Sequence, residues 1–265
     1  MTPPTAAGAA VLVIGNEILS GRTRDANVQT IGSALGGIGI RLREVRVVED
    51  REAAIVDAVN ALRARYDYVF TTGGIGPTHD DITTDSIGAA FGVEVRHAPV
   101  AVALLTRYYG AEATETRLRM ARVPLGATLI DNPVSAAPGF RLGNVFVLPG
   151  VPRILQGMLP GVLATLPGGP PIVSRSVTAW VRESDVAAEL AEVQARHPGL
   201  DVGSYPFARD GRFGTALVVR GNDAAAGGAG ARRQCGARRR GTCHWISWWH
   251  AAAHPALGAG PAPEW

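Results

Sequence analysis

The sequence lacks lysine altogether and has cysteine only near its C-terminal end. All of its 26 basic residues are arginine, which excludes a phosphate loop ending in Gly-Lys-Ser/Thr and Schiff-base chemistry on a lysine amine. The two cysteines are Cys235 and Cys243, so the residues before them can form no disulfide. No N-terminal segment has the apolar length of a signal peptide or a membrane span. We therefore expect a cytoplasmic protein without a membrane partner.

The positive net charge belongs to the last part of the chain. Residues 1–223 contain 21 Arg and 22 acidic residues, whereas residues 224–265 contain five Arg and a single Glu. The first segment is thus almost neutral, and we expect it to have no nucleic-acid partner. With 46% apolar side chains in 265 residues, the chain can bury the cores of one large domain and one smaller domain.

Residues 224–265 differ in composition from everything before them. This tail is rich in Gly, Ala and Arg, contains four of the five tryptophans, and shows no apolar periodicity. Cys235, Cys243, His244 and His250 could form a zinc site, although their spacing follows no standard zinc motif. Interleaved Arg and Trp could instead bind nucleic acid or a membrane. We prefer a third interpretation, the frame-shifted end of a GC-rich gene, and predict a disordered tail without function.

The most informative motif is a glycine-rich corner after an apolar run. Val69–Thr72 leads into Gly73–Thr78, and Asp80 and Asp81 follow. Glycines let main-chain N–H groups approach an anion closely, and a following helix would direct its positive end to the same place. Because the two carboxylates would repel a phosphate, a divalent cation between them and the ligand reconciles both halves of the motif. The corner therefore predicts a nucleotide or pterin phosphate bound with Mg²⁺.

A third carboxylate, Asp85, extends the acidic cluster. If the chain is helical from Asp81 onward, Asp81 and Asp85 lie at i and i+4 on one face. We predict Asp80, Asp81 and Asp85 as the metal ligands. The alternative is an ordinary strand-loop-helix corner, in which the glycines make the turn and the aspartates cap the next helix.

Strand patterns and helix patterns alternate before and after this corner. Strands are predicted at Ala9–Ile14, Leu42–Val48, Tyr68–Thr72, Ala127–Ile130, Gly139–Leu142 and Val145–Leu148, and helices after Asp25 and at Arg51–Arg65, Thr84–Phe91, Val100–Tyr109, Thr114–Ala121 and Pro152–Leu166. This order predicts an α/β fold with a doubly wound, mostly parallel sheet covered on both faces. Ligands bind such sheets at the carboxyl ends of the strands, where Gly15–Gly21, Asp50 and Gly73–Asp81 would converge.

A Pro/Gly-rich linker at residues 166–171 separates this domain from a second one. Beyond it, strands near Val173–Val181, Leu200–Tyr205 and Gly214–Val219 and a helix at Ser184–Arg196 predict a small α+β domain. The predicted organisation is therefore a first domain of residues 1–167, a second of residues 172–223, and the tail of residues 224–265.

Three motifs together resemble a known family. Thr72–Thr78 followed by Asp80–Thr83 resembles the signature of the molybdenum-cofactor-binding domain shared by the MoaB/Mog proteins, by the competence/damage-inducible protein CinA and by part of some FAD synthases. Ile14–Gly21 with Asp25–Asn27 is similar to the first loop of the CinA-like branch, and Leu148–Pro152 resembles its closing motif. Many relatives have Asp where this chain has Asn16.

The resemblance implies a set of site residues. Those expected to bind the ligand are Gly15, Asn16, Glu17, Thr72, Gly73, Gly74, Gly76, Thr78, Pro149 and Gly150. Asp50 and Asp81 match the two aspartates implicated in the chemistry of the MoaB/Mog branch, although Asp50 could instead be a helix cap before Arg51.

Two classes of function follow from the resemblance. A metal-dependent enzyme would hydrolyse ADP-ribose or FAD-type pyrophosphates, whereas a binding module would hold molybdopterin without converting it. Proteins of this family are often oligomers, so a homo-oligomer is a further expectation.

Overall fold

The computed structural model describes residues 7–222 of the protein. The chain divides between Gly169 and Pro170 into two compact units, which we describe one at a time. The interpretations of the tail concern residues that lie outside the described part of the chain.

The first unit is an α/β domain in which strands and helices alternate. Its strands are β1 (Gly8–Ile14), β2 (Arg41–Val48), β3 (Tyr68–Thr72), β4 (Val95–His97), β5 (Arg122–Pro124), β6 (Thr128–Ile130), β7 (Gly139–Leu142) and β8 (Val145–Leu148). Its helices are α1 (Asn16–Leu19), α2 (Asn27–Gly37), α3 (Glu52–Arg65), α4 (Thr83–Phe91), α5 (Pro99–Tyr109), α6 (Glu115–Leu118) and α7 (Pro152–Leu163), with short 3₁₀ turns at Gly110–Glu112 and Arg119–Ala121.

Six strands form the central sheet in the order β2-β1-β3-β8-β7-β6. The first four are parallel, β7 is antiparallel to β8, and β6 is antiparallel to β7. The predicted α/β fold with a mostly parallel sheet is thereby confirmed. From β1 the chain passes first to β2 on one side and then to β3 on the other. The strand order therefore reverses at the carboxyl ends of β1 and β3, the place where open α/β sheets bind ligands.

Both faces of the sheet are buried, which explains why β1 reads as a continuous apolar run. Val11 and Val13 pack into one core with α2 and α7, whereas Leu12 and Ile14 pack into the other with α3 and α4. The rings of Phe70 on β3 and Phe146 on β8 stack with their centroids 5.1 Å apart. Because helices pack on both faces of the sheet, the carboxyl ends of β1 and β3, where the strand order reverses, are fixed in position.

The structure differs from the sequence prediction at several element ends. α4 begins at Thr83, after Asp81, and the helix predicted at Thr114–Ala121 is split into α6 and a 3₁₀ turn. The small antiparallel pair of β4 and β5 was not predicted. A three-residue strand is too short to show an alternating pattern, so the sequence gives little sign of such a pair.

The second unit is a three-stranded antiparallel sheet with one helix. It consists of β9 (Ile172–Ala179), α8 (Glu183–Arg196), β10 (Asp201–Arg209) and β11 (Arg212–Asn222), with β11 in the middle of the sheet. Asp210 and Gly211 connect β10 and β11 with positive φ angles of 52° and 72°, as in a tight two-residue hairpin. The predicted small α+β domain is therefore present.

Candidate functional site

The candidate site lies where β1 and β3 end side by side. Gly73 follows β3 with a φ of +101°, and a Cβ atom there would lie 2.2 Å from the carbonyl oxygen of Ile14. Only glycine fits this position, because a side chain would collide with backbone. The N–H of Gly73 donates to the carbonyl oxygen of Leu148 at 3.2 Å. The ends of β1, β3 and β8 are thus joined at one point.

This arrangement corrects one expectation about the phosphate donors. The Gly73 N–H was expected to hold a phosphate, but the carbonyl of Leu148 already accepts its hydrogen bond. Within residues 7–222, the N–H groups of Gly74 and Gly76 donate to no protein acceptor. The corner can therefore offer both of these amides to an anion.

Thr83, which the sequence analysis did not include in the site, fixes the shape of the corner. Its hydroxyl donates to the carbonyl oxygen of Gly73 at 2.9 Å, and its N–H donates to that of Gly74 at 2.9 Å. Thr83 is completely buried, and a Cβ on Gly74 would lie 2.2 Å from the Thr83 hydroxyl. The first residue of α4 therefore holds two successive carbonyls, which leaves the neighbouring N–H groups of the corner to other partners.

The loop after β8 completes the site from a third direction. A Cβ on Gly150 would lie 3.2 Å from the Cα of Gly73, so the two loops are in backbone contact. Asn27, the first residue of α2, donates from Nδ2 to the carbonyl oxygen of Gly150 at 2.8 Å. Asn27 is part of the family-like Asp25–Asn27 motif but was not predicted as a site residue. Its burial at only 4% exposure is a signal that the sequence alone does not give.

A cleft of about 60 Å³ lies between these loops, lined by Glu17, Asn27, Thr72, Gly73 and Gly150 among other residues. Of the predicted ligand-binding residues the lining includes Glu17, Thr72, Gly73 and Gly150. Gly74, Gly76 and the carboxylates of Asp80 and Asp81 belong to the adjoining corner and lie outside the lining. The Glu17 carboxylate folds over Gly15, where a Cβ would lie 2.6 Å from its oxygens.

Two of the predicted carboxylates bind backbone N–H groups of the loops. Asp50 accepts a hydrogen bond from the N–H of Asn16 at 2.8 Å. No side chain among residues 7–222 caps the following helix α3, so the helix-cap interpretation is wrong. Asp81 accepts from Thr78 through both its N–H, at 2.8 Å, and its hydroxyl, at 2.5 Å. A Cβ on Gly76 would lie 2.6 Å from the same Asp81 oxygen. Both aspartates therefore shape the loops that would hold a ligand.

Asp80 is the most exposed member of the acidic cluster. Its pKa is lowered from the ordinary value of 3.8 by the Thr78 side chain, by its own backbone N–H and by His79. The Thr78 hydroxyl has one proton, and the 2.5 Å distance to Asp81 makes Asp81 its direct acceptor. Because its pKa is lowered, Asp80 is ionised at neutral pH, and its exposed carboxylate can bind a cation.

The third predicted metal ligand, Asp85, is engaged elsewhere. It lies inside α4 and accepts two hydrogen bonds from the guanidinium of Arg122, at 2.7 and 3.0 Å. The expectation that it shares a helix face with Asp81 is wrong, because α4 begins after Asp81. In the described part of the chain no three His, Cys, Asp or Glu side chains come together as a metal cluster. A cation bound near Asp80 and Asp81 would therefore also need oxygen atoms of the bound small molecule to coordinate it.

A larger cavity of about 510 Å³ lies elsewhere in the first unit, between the β6 region and α7. Its lining includes Leu129, Met158 and Val162 but none of the predicted site residues. We place the candidate site at the smaller cleft and the adjoining corner of residues 73–81, because loops from three strand ends and a buried polar side chain meet there. No helix within residues 7–222 has the length and apolarity needed to cross a membrane.

Comparison with known proteins agrees with this placement. Residues 10–168 match the family described as a probable molybdopterin binding domain. The chain belongs to this molybdopterin-binding domain family. Residues 171–234 match a second family, the middle domain of FAD synthase, and so extend beyond the described residues.

The similar proteins include two with CinA names and one probable FAD synthase. The crystal structure of CinA from Thermoplasma acidophilum, a protein of unknown function, superposes with a TM-score of 0.56 at 36% identity over 59% of this chain and 97% of that one. A CinA-like protein of Syntrophus aciditrophicus is 35% identical over 74% of this chain and 50% of its own length. A probable FAD synthase of Caenorhabditis briggsae is 30% identical over 83% of this chain and 47% of its own. The chain spans about half the length of these last two relatives.

Proposed function

We propose that the first unit binds a pterin or nucleotide ligand through its phosphate or pyrophosphate group. The observation that carries this proposal is the meeting of three glycine loops where the strand order reverses. In the corner, Thr83 and Leu148 satisfy the structural hydrogen bonds, and the N–H groups of Gly74 and Gly76 remain for an anion. The short distances around Gly73 and Gly150 keep side chains out of the approach.

Mg²⁺ or another divalent cation would accompany the ligand. Mg²⁺ is usually held by one or two protein carboxylates together with phosphate oxygens and water, so the absence of a three-carboxylate cluster in residues 7–222 does not conflict with it. The second oxygen of Asp81 and the exposed carboxylate of Asp80 fit this donor set. When bound, the cation would screen the ligand's charge and polarise its phosphorus-oxygen bonds.

Hydrolysis of ADP-ribose or FAD-type pyrophosphates is the catalytic form of the proposal. The FAD synthase family match over residues 171–234 and the relative named as a probable FAD synthase support an FAD-type nucleotide as the ligand. Asp50 would contribute indirectly, because its carboxylate holds the N–H of Asn16 and thereby positions the first loop.

A non-catalytic molybdopterin-binding module is the second candidate. The family description over residues 10–168 favours it, and the same corner would hold the pterin phosphate. The two candidates share the phosphate site and differ in whether a bond is broken.

The test separates the two roles of Asp81. The full chain is incubated with ADP-ribose, FAD and molybdopterin, with and without Mg²⁺, and both binding and cleavage are measured. Asp81→Asn keeps an oxygen that can accept from Thr78 but removes the charge, whereas Asp81→Ala removes both. Loss of the Mg²⁺-dependent part of binding in Asp81→Asn, with an unchanged melting temperature, supports the cation role.

Asp80→Asn tests the second proposed cation ligand, which accepts no bond from the Thr78 N–H. It should also weaken the Mg²⁺-dependent part of binding and leave the melting temperature unchanged. Cleavage of ADP-ribose or FAD selects the enzyme, and tight molybdopterin retention without cleavage selects the module. If the wild-type chain binds none of the three ligands with Mg²⁺ present, the proposal is refuted.

A further inference from the structure

Within residues 7–222, the side-chain amide of Asn27 has one group with a hydrogen-bond partner and one group without. Its Nδ2 donates to the carbonyl of Gly150 at 2.8 Å, while its Oδ1 is enclosed and has no hydrogen-bond partner among the described residues. A buried carbonyl oxygen without a donor is unfavourable, because it has lost water and gained nothing in return.

The orientation of this amide follows from its neighbour. The carbonyl of Gly150 is only an acceptor, so the group that faces it must be the NH₂ of Asn27. Turning the amide over would place two oxygens against each other. The oxygen is therefore the half that remains for another molecule.

Asn27 lines the cleft together with a second acceptor. Glu17 contributes a carboxylate to the same lining, and Arg24, the basic residue of the lining, is exposed to solvent. Phosphate oxygens at neutral pH are acceptors and would be repelled by both an amide oxygen and a carboxylate. A group with N–H or O–H donors would be attracted to both.

We propose that Asn27 recognises a hydrogen-bond donor on the organic part of the ligand, a ring N–H, an amino group or a sugar hydroxyl. This inference rests on the proposed function, and it divides the site into two parts. The N–H groups of Gly74 and Gly76 take the phosphate, and the Oδ1 of Asn27 accepts from the base, pterin or ribose. Asn27 is then a specificity-determining residue, because a ligand without a donor leaves its oxygen unpaired.

The alternative is that Asn27 only tethers the Gly150 loop. Inorganic pyrophosphate distinguishes the two roles, because it can fill the phosphate part but has no organic donor. A lost tether would displace the loop and weaken all ligands, whereas a lost recognition contact would weaken only ligands with an organic part.

The experiment measures the binding of pyrophosphate, ADP-ribose and molybdopterin, with Mg²⁺, to the full chain and to Asn27→Ala. We expect at least about tenfold weaker binding of whichever organic ligand the wild type prefers, and less than about a threefold change for pyrophosphate. Asn132→Ala is the matched control. Asn132 is also buried, but both halves of its amide are bonded to residues in its own loop. It should lose stability without changing the ratio of the affinities.

Equal weakening of pyrophosphate and the organic ligand in Asn27→Ala would reduce Asn27 to a tether and overturn the inference. Unchanged binding of both would overturn it as well. Both of these outcomes leave the proposed function standing, because the wild-type chain binds an organic ligand in each. A wild-type chain that binds pyrophosphate but neither organic ligand, nor FAD, refutes the proposed function together with this inference. A chain that binds none of the three refutes the proposed function, and the inference with it.

Discussion

Replacing Thr83 by Val tests whether the glycine corner depends on one buried hydroxyl. The two side chains have nearly the same shape, so the change removes the hydrogen bond to the Gly73 carbonyl at 2.9 Å without opening a cavity. Thr83 and Gly73 are both buried, so water cannot easily replace the lost donor.

The size of the effect follows from two opposing contributions. Leaving a buried carbonyl without its donor costs about 1–3 kcal/mol, and the extra apolar contact of the new methyl group returns up to about 0.8 kcal/mol. The free energy of unfolding should therefore fall by about 1–2 kcal/mol. For a domain of this size, each kcal/mol lowers the melting temperature by about 2–4 °C, so a decrease of about 2–8 °C is expected.

Urea unfolding and thermal melting of the full chain measure this change, and pyrophosphate binding reports on the corner itself. Thr84→Val is the matched control, because Thr84 is the next residue of α4, is only half-buried, and makes no side-chain hydrogen bond in the described part of the chain. It should leave both the melting temperature and the affinity nearly unchanged.

Two outcomes would contradict the reasoning. If Thr83→Val is as stable as the wild type, the hydroxyl does not support the Gly73 carbonyl. If stability falls but pyrophosphate binds equally well, the corner keeps its shape without this bond, and its donors are not set by Thr83.

Three further changes test other parts of the first unit. Gly74→Ala should lower the free energy of unfolding by about 3 kcal/mol, because it combines a φ of +67° with a 2.2 Å approach to a buried hydroxyl; a soluble variant with wild-type urea midpoint would contradict this. Arg122→Gln should cost only about 0.5–1 kcal/mol, since its pair with Asp85 is partly exposed, and the difference should shrink in high salt if it is electrostatic. The hydroxyl of Tyr66 lowers the pKa of the Glu44 carboxyl from its ordinary 4.5. The lowered pKa stabilises the fold above pH 4.5, and this stabilisation is lost as the pH falls through the lowered pKa. Tyr66→Phe should therefore melt earlier than the wild type at about pH 7, the difference should shrink as the pH falls below 4.5, and a difference that does not depend on pH would exclude this linkage.

The sheet and the location of the site could be predicted because their signals are local in sequence. β3, β7 and β8 have the predicted bounds, since buried strands followed by glycine or proline give clear signals. The carboxyl ends of β1, β3 and β8 had to meet at one edge because these three strands are parallel. The resemblance to the family added the first and third loops.

The partners of individual side chains could not be predicted, because they depend on contacts between distant residues. Asp85 pairs with Arg122 on a strand too short to show a pattern, and the Gly73 N–H is taken by a residue 75 positions away. Asn27 becomes part of the site only through the carbonyl of Gly150. Spacing along the chain identifies residue types that suit phosphate or metal, but it does not show which of their atoms are already occupied.

The central position of β8 has a consequence for how the protein is made. β8 lies between β3 and β7, although it is the last strand of the first unit to be synthesised. Until the ribosome has released residues 145–150, the Gly73 amide lacks its acceptor and Asn27 lacks its tether. A ligand therefore cannot guide the early steps of folding and can stabilise only the finished domain. Nascent chains that stop before β8 can pair β2, β1 and β3 on one side and β7 with β6 on the other, but cannot join the two parts, and they should bind no ligand.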